Sequence, residues 1–278
     1  MTFREAYTKL AADLGQIYDD REGSIIARYL LEDVFGVSFW SEELLHEGQI
    51  DQLTTMTERL KTHEPWQYVG GMADFFGLKF KVTKDVLIPR PETEELVHYA
   101  LPIFKKEGMR SLLDIGTGSG IIPITMSLKL NIENTYAIDI SKEALHIASE
   151  NNILHQTNVN FIQLDFLDKT SWSSLPKVDM VISNPPYITD SEKSLMHPNV
   201  LDYEPHVALF VNQDAMEFYQ AIAEFTLGYQ ASGCVVLMEI NENFGKEVVD
   251  IFSEGHFCDV TLIKDLQGKD RIVMARKK

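Results

Sequence analysis

The chain has 278 residues, 45% hydrophobic and 24% charged, an ordinary globular composition. That length can bury a sizeable core, as one large domain or as a medium domain plus a small one. Its 42 acidic residues against 25 basic ones give a formal charge of -17. Such a surface repels nucleic-acid phosphates and anionic lipid, so no direct nucleic-acid or membrane binding is expected, and a protein with a basic face suits it better as a partner.

Cys234 and Cys258 form no CxxC pair and lie beside apolar runs, so they read as small core residues. The eight histidines include no HExxH, and no metal site is expected. No stretch nears the roughly 18 apolar residues of a membrane span. The first residues mix both charge signs without an apolar core, which makes the cytoplasm the expected location.

Residues 2–62 carry apolar positions at helical spacing: Phe3, Ala6, Tyr7, Leu10 and Leu14, then Ile25, Ile26, Tyr29, Leu30 and Val34, then Ile50, Leu53, Met56 and Leu60. Gly15, Gly23, Gly36 and Gly48 punctuate them, predicting a small helical bundle with no titratable cluster. From 63 the pattern changes. Trp66-Gln67-Tyr68-Val69-Gly70-Gly71 precedes Phe75-Phe76-Gly77-Leu78-Lys79-Phe80-Lys81-Val82, and alternation about the glycine predicts a β-hairpin linking two domains. Pro89 and Pro91 close that segment, and Glu92-Thr93-Glu94-Glu95 opens a helix with acids in its first turn. The expected organisation is a helical domain over 1–74, a hairpin linker over 75–90 and a larger domain over 91–278.

Strands are predicted at 111–115, 135–140, 158–164, 178–183, 234–240, 257–263 and 271–275, with helices at 141–154, 213–228 and 244–254 between them. This alternation is that of an α/β fold with a doubly wound, mainly parallel sheet. The last two strands lack a helix between them and predict an antiparallel edge hairpin.

The first chemical signal is Leu112-Leu113-Asp114-Ile115-Gly116-Thr117-Gly118-Ser119-Gly120. A strand runs into a glycine-rich turn and then a helix, and glycines there let the backbone approach a ligand closely. A dinucleotide turn of the form GxGxxG needs glycine where Ile121 stands, so DxGxGxG favours an S-adenosyl-L-methionine turn. Strand 135–140 contains Asp139, about twenty residues on, where a carboxylate can accept both ribose hydroxyls of an adenosyl group. Ser141 stands ready to cap the following helix, so Asp139 is not needed for that task. At the end of the next strand, Gln163-Leu164-Asp165-Phe166 offers a polar group for the adenine amino group and a ring to cover the base.

The most specific signal is Val181-Ile182-Ser183-Asn184-Pro185-Pro186-Tyr187-Ile188. Two prolines after a buried strand make a stiff loop that presents carbonyl acceptors. The Asn184 side-chain oxygen and the Pro185 carbonyl can each accept a hydrogen bond from one NH₂ group, and Tyr187 can stack on a flat substrate. Such a site aims a nitrogen at a sulfonium methyl, with catalysis resting on proximity and electrostatic placement.

Asn-Pro-Pro-Tyr after DxGxGxG resembles amino-methyltransferases acting on glutamine amides or on adenine. Val86-Leu87-Ile88-Pro89-Arg90-Pro91-Glu92-Thr93-Glu94 separates these, because it resembles the signature of the release factor glutamine methyltransferase family (the HemK/PrmC type). Glu64 to Gly71, Tyr203-Glu204-Pro205 with Ala208-Leu209, and Lys269-Asp270-Arg271 fit the same family, over roughly residues 60–276. The resemblance implies a seven-stranded class I methyltransferase domain behind a helical domain that docks the substrate. It further implies N5-methylation of the glutamine in the Gly-Gly-Gln loop of class 1 peptide chain release factors. By position, Gly116, Thr117, Gly118, Ser119, Gly120, Asp139, Phe166 and Asn184 would contact the cofactor. Asn184, Pro185, Pro186 and Tyr187 would hold the glutamine, with Asn184, Pro185 and Tyr187 as the catalytic set. Phe166 stands where the family more often has Trp. Glu239-Ile240-Asn241-Glu242-Asn243-Phe244 and Val211-Asn212 depart from a Glu-Ile-Gly run ending in Gln and from a Gly pair. Methylation of adenine N6 in DNA or RNA remains the alternative.

Overall fold

A computed structural model describes residues 1–189, 193, 196, 198–211, 214–253 and 255–278. The chain divides into two compact units, Met1–Ala73 with Val82–Lys84 and His197–Tyr203, and Asp74–Lys81 with Asp85–Met196 and Glu204–Lys278.

The first unit holds α1 (Phe3–Leu14), α2 (Asp20–Phe35), α3 (Glu47–Lys61) and the short α4 (Trp66–Gly70). Helix starts follow the side chains. Thr2 and Glu5 form a reciprocal capping box on α1, Asp19 caps α2, and His46 and Gln49 form a second box on α3. Phe3, Leu10, Leu14, Ile26, Leu30 and Leu60 are each 3% exposed or less, so the predicted apolar faces meet in one core. The stretch from Trp66 is a helical turn rather than a lead into a strand. Arg59 holds it by donating to Glu64 Oε2 at 2.8 Å and to the Tyr68 carbonyl at 3.2 Å, and Gly71 at φ 74° ends it.

Next in the chain, β1 (Met72–Phe75) and β2 (Leu78–Lys81) form a hairpin, most of it in the second unit. Phe76 and Gly77 both take positive φ at its turn, 53° and 73°, as a tight primed turn requires. Then come α5 (Pro91–Lys106), β3 (Ser111–Ile115), α6 (Ile121–Lys129), β4 (Asn134–Asp139), α7 (Lys142–Leu154), β5 (Val159–Gln163) and β6 (Met180–Ser183). The helices α8 (Pro198–Tyr203), α9 (His206–Leu209) and α10 (Glu217–Tyr229) follow, α8 being grouped with the first unit apart from its neighbours. The chain closes with β7 (Val235–Glu239), α11 (Gly245–Ser253), β8 (Phe257–Lys264) and β9 (Asp270–Lys277). The third predicted helix runs to residue 254, and its last residue lies outside the described ones, as do Asn212 and Gln213.

Seven strands form one sheet in the order β5-β4-β3-β6-β7-β9-β8, parallel except for β9, which pairs antiparallel with both β7 and β8. This is the predicted α/β architecture with its antiparallel edge. Successive strands run outward from β3 to β5, and the chain then returns to place β6 on the other side of β3. That reversal opens a crevice at the carboxyl ends of β3, β4 and β6, the usual ligand position in such sheets. The register keeps those ends level, with Ile115 opposite both Ile138 and Ser183, Asp139 opposite Gln163, and Ser183 opposite Met238.

Candidate active site

The sequence signals meet at these strand ends. After β3 the backbone N–H groups of Gly116 and Thr117 both donate to the Ile138 carbonyl at 3.0 Å, and Gly120 N–H closes the turn on the Thr117 carbonyl at 2.9 Å. Gly116 and Gly118 take φ of 73° and 55°, and a Cβ on either would meet nothing within 4 Å, so the open side of this turn has room for a ligand. Gly120 serves packing instead. A Cβ there would stand 3.0 Å from Ile124 and 3.2 Å from Ala148, which lets α6 and α7 approach closely. The buried Asn151 braces the turn, taking the Lys81 N–H at 2.7 Å and donating to the Lys81 and Ser119 carbonyls at 3.0 and 2.9 Å.

Asp139 faces the same turn. Its Oδ2 accepts from Gly118 N–H at 2.8 Å and its Oδ1 from Ser141 N–H at 2.9 Å, and each oxygen keeps a lone pair for a further donor. Burial pushes its carboxyl up, and the backbone N–H groups of Ser141, Gly118 and Ile140 partly offset that. Ser141 itself caps α7 by accepting from Ala144 N–H at 3.1 Å, as expected, so Asp139 is free of that duty.

A cavity of about 600 Å³ opens here, lined among others by Gly116, Gly118, Asp139, Phe166, Asn184 and Pro186. Small-molecule sites span about 300–1,000 Å³. Asp165 also lines the cavity, whereas Gln163 is exposed and donates to the Ile140 carbonyl at 3.2 Å. Phe166 is only 4% exposed. It packs against Trp172 and Phe225, both at 5.5 Å between ring centroids, and still borders the cavity. Thr117, Ser119, Gly120, Pro185 and Tyr187 are not among the cavity-lining residues; Thr117 and Ser119 are buried in the turn, and Pro185 is buried in its loop.

Beneath the Asn-Pro-Pro-Tyr loop lies a network that the sequence did not reveal. Asn184 Nδ2 donates to Thr93 Oγ1 at 2.9 Å, Thr93 Oγ1 donates to Glu239 Oε2 at 2.8 Å, and Tyr187 donates to Glu239 Oε1 at 3.2 Å. Burial pushes Glu239 up to about 7, with Thr93, Arg271 and Tyr187 pulling the other way. Glu239 is the one charged residue in the apolar run 234–240, and that anomaly is the signal that could have marked it. Thr93 sits in the first turn of α5, among the acids the sequence already singled out, and is 2% exposed.

A second buried acid lies in β3. Asp114 is fully buried and neither carboxylate oxygen has a hydrogen-bond partner; the nearby Thr117 hydroxyl is likewise unpaired. Burial raises Asp114 to about 7, and the field of Asp139 adds to it, while Thr117 stands close enough to oppose the rise.

One wall of the cavity is made by Val86 and Leu87 with His206 to Ala208. Glu204 fastens these two segments, accepting from Arg90 Nη2 at 2.5 Å and from Ile88 N–H at 3.3 Å. Of the departures noted in the sequence, Asn241 turns the chain after β7 by accepting from Asn243 N–H at 3.0 Å, and Val211 is buried. Asn212 lies outside the described residues. Cys234 is buried and Cys258 half-buried, both as free thiols. Among the described residues no cluster of acids, His and Cys could hold a metal ion, and no helix is long and apolar enough to cross a membrane.

The open glycine turn, the lined cavity and the carboxylate with spare lone pairs together fit a nucleoside-bearing ligand of the size of S-adenosyl-L-methionine. Comparison with known proteins agrees. Residues 98–201 match a family model described as the methyltransferase small domain, and residues 5–71 one described as the PrmC N-terminal domain. Among solved structures, the catalytic domain of hMettl16 in complex with a MAT2A 3'UTR hairpin superposes with a TM-score of 0.58 at 14% identity, covering 83% of this chain and 80% of that one, a likeness of fold alone. The release factor glutamine methyltransferase of Lactococcus lactis is 39% identical over 280 residues, spanning 99% of this chain and all of that protein. Its counterpart in Bacteroides thetaiotaomicron is 38% identical over 270 residues, 95% of this chain and 96% of the relative. Likeness at that level over essentially the whole length settles the family, and the chain belongs to the release factor glutamine methyltransferases.

Proposed function

We propose that this protein methylates the N5 amide nitrogen of the glutamine in the Gly-Gly-Gln loop of class 1 peptide chain release factors. The observation that carries the reading is the orientation of Asn184. Its NH₂ is committed to Thr93, which leaves the amide oxygen for the cavity that Asn184 lines. Bound S-adenosyl-L-methionine supplies an electrophilic methyl on a sulfonium. Gly116 and Gly118 would let the turn approach it closely, Asp139 would accept from its ribose hydroxyls, and Asp165 with Phe166 would border its base.

An amide nitrogen is a weak nucleophile, and it gains positive charge as its bond to carbon forms and the carbon–sulfur bond breaks. Its N–H groups then become better donors. The Asn184 oxygen and the Pro185 carbonyl accept from them, so both contacts strengthen in the transition state. The surplus proton leaves to solvent once the methyl is in place, and no strong base is needed. Pro186 and Tyr187 shape the slot that keeps the amide flat. The helical N-terminal unit serves the docking of the release factor, and the protein works in the cytoplasm, where that substrate is made.

Two measurements test this. Incubation with labelled S-adenosyl-L-methionine should label a release factor and leave adenine-containing DNA unlabelled; label on the DNA would move the enzyme to the adenine-methylating class. Asp139→Ala should weaken S-adenosyl-L-methionine binding by about ten- to a hundredfold, the loss expected when hydrogen bonds to a charged acceptor vanish. Unchanged affinity by calorimetry would remove Asp139 from the ribose site.

A further inference from the structure

Asn184, Thr93 and Glu239 come from three separate elements, 91 and 146 residues apart in sequence, and form a continuous line under the acceptor loop. Donor and acceptor rules fix its direction. A carboxylate can only accept, so the single proton of Thr93 goes to Glu239. The Thr93 oxygen must then accept, and only the NH₂ side of Asn184 can give it a proton. The Asn184 oxygen is thereby turned away from Thr93. If Glu239 carried a proton, it could donate to Thr93, whose own proton would face Asn184 and favour the reversed amide.

We propose that Glu239 and Thr93 are positioning residues, which hold the Asn184 amide oxygen toward the substrate amide and anchor Tyr187 on the second carboxylate oxygen. This rests on the acceptor role given to Asn184 above. Neither residue needs to touch substrate. Glu239 acts through Thr93 on one side and through the Tyr187 hydroxyl on the other, so one buried carboxylate sets both arms of the acceptor slot.

The surroundings of Glu239 place its proton equilibrium where it matters. Thr93 and Glu92 face it from α5, Tyr187 from the loop after β6, Tyr219 from α10, and Arg271 from β9. Arg271 is itself engaged by Asp265, Nε to Oδ2 at 3.1 Å, and by Glu242, Nη2 to Oε2 at 3.3 Å, so its charge is shared three ways. Burial and Glu92 then win over Arg271, Thr93 and Tyr187, and Glu239 releases its proton only near 7. Turnover should therefore fall as pH drops through about 7, because the line loses its direction.

The test uses the full chain with a release factor as acceptor. Thr93→Val keeps the branched shape and removes the hydroxyl; it should lower kcat about ten- to a hundredfold, with KM for the release factor and affinity for S-adenosyl-L-methionine within about twofold. Thr93→Ser should return kcat to within about threefold of wild type. Glu239→Gln should abolish the fall in kcat near pH 7, and Thr93→Val should add nothing in an Asn184→Ala background. Wild-type kcat in Thr93→Val, or an acid limb that survives in Glu239→Gln, would overturn the proposal. A measurement that needs no substrate separates this from the function itself. The Asn184 side-chain amide signals, followed by NMR on the free protein, should titrate near pH 7 in wild type and stay fixed in Glu239→Gln. If wild type leaves the release factor unlabelled, the substrate reading fails while this titration still decides the relay; signals that do not titrate in wild type sink the relay alone.

Discussion

Asn184→Ala lowers turnover about a hundred- to a thousandfold and leaves release-factor binding near the wild-type level. The magnitude follows from what the side chain is asked to do. One well-placed acceptor in a water-excluded site contributes about 2.7–4 kcal/mol to a charge-developing transition state. Docking of a protein uses a far wider surface than one amide, so its affinity is nearly blind to the change. The expected signature is thus a fall in kcat with little change in KM, which marks an interaction made mainly in the transition state. Tyr187→Phe should be milder, because the ring stays and only the hydroxyl bond to Glu239 is lost. A large rise in KM with kcat intact would assign Asn184 to substrate docking instead.

Asp114→Asn makes the free protein more stable at pH 8, and much less so at pH 5. Two aspartates linked to β3 show why. Asp179, whose burial alone would raise it, is held below the usual carboxylate range by Arg110 N–H at 2.8 Å, Ser111 N–H at 2.9 Å and the Ser111 hydroxyl at 2.8 Å. Asp114 has no such partner and rises from 3.8 to about 7. A carboxyl raised on folding adds stability that is complete below its unfolded pKa, about 4, and lost as pH climbs through 7. That interval corresponds to an upper figure on the order of 4 kcal/mol, so about 2–4 kcal/mol is expected from its removal at pH 8. Asn stays neutral throughout, and Tm at pH 8 should rise by roughly 5–10 °C, with only about a third of that gain at pH 5, where the folded carboxyl is still protonated but the unfolded one is already mostly ionised. Glu239 has the same sign and adds to the decline of wild-type stability above neutrality. A variant with lower Tm at pH 8 would mean that Asp114 holds a partner in solution.

The parts of the site that were legible in the sequence share one property. Each sits at or just past a strand end, where local pattern and chemistry coincide: the glycines after β3, Asp139 ending β4, and Asn184 after β6. Parallel register then brings them level without further information. The parts that were not legible depend on distance and burial. Thr93 and Glu239 meet across 146 residues, and nothing local in a Pro-Glu-Thr-Glu turn reveals which side chain points inward. Phe166 shows the same limit from the other side. Its position suggested a ring over the adenine, and Phe166 does line the cavity, but its packing against Trp172 and Phe225 is set by burial that local sequence does not encode. In the helical unit, apolar spacing located α1 to α3, whereas the turn of α4 owes its shape to a fork of hydrogen bonds from Arg59 that spacing does not encode.

The acceptor proposed is a glutamine amide held by Asn184. Tandem mass spectrometry of a release factor after reaction with this protein and S-adenosyl-L-methionine tests it most directly. One methyl is expected, on the side-chain amide nitrogen of the Gly-Gly-Gln glutamine, and none when that glutamine is changed to Ala. A methyl on any other residue, or one that persists in the glutamine-to-Ala release factor, would contradict it.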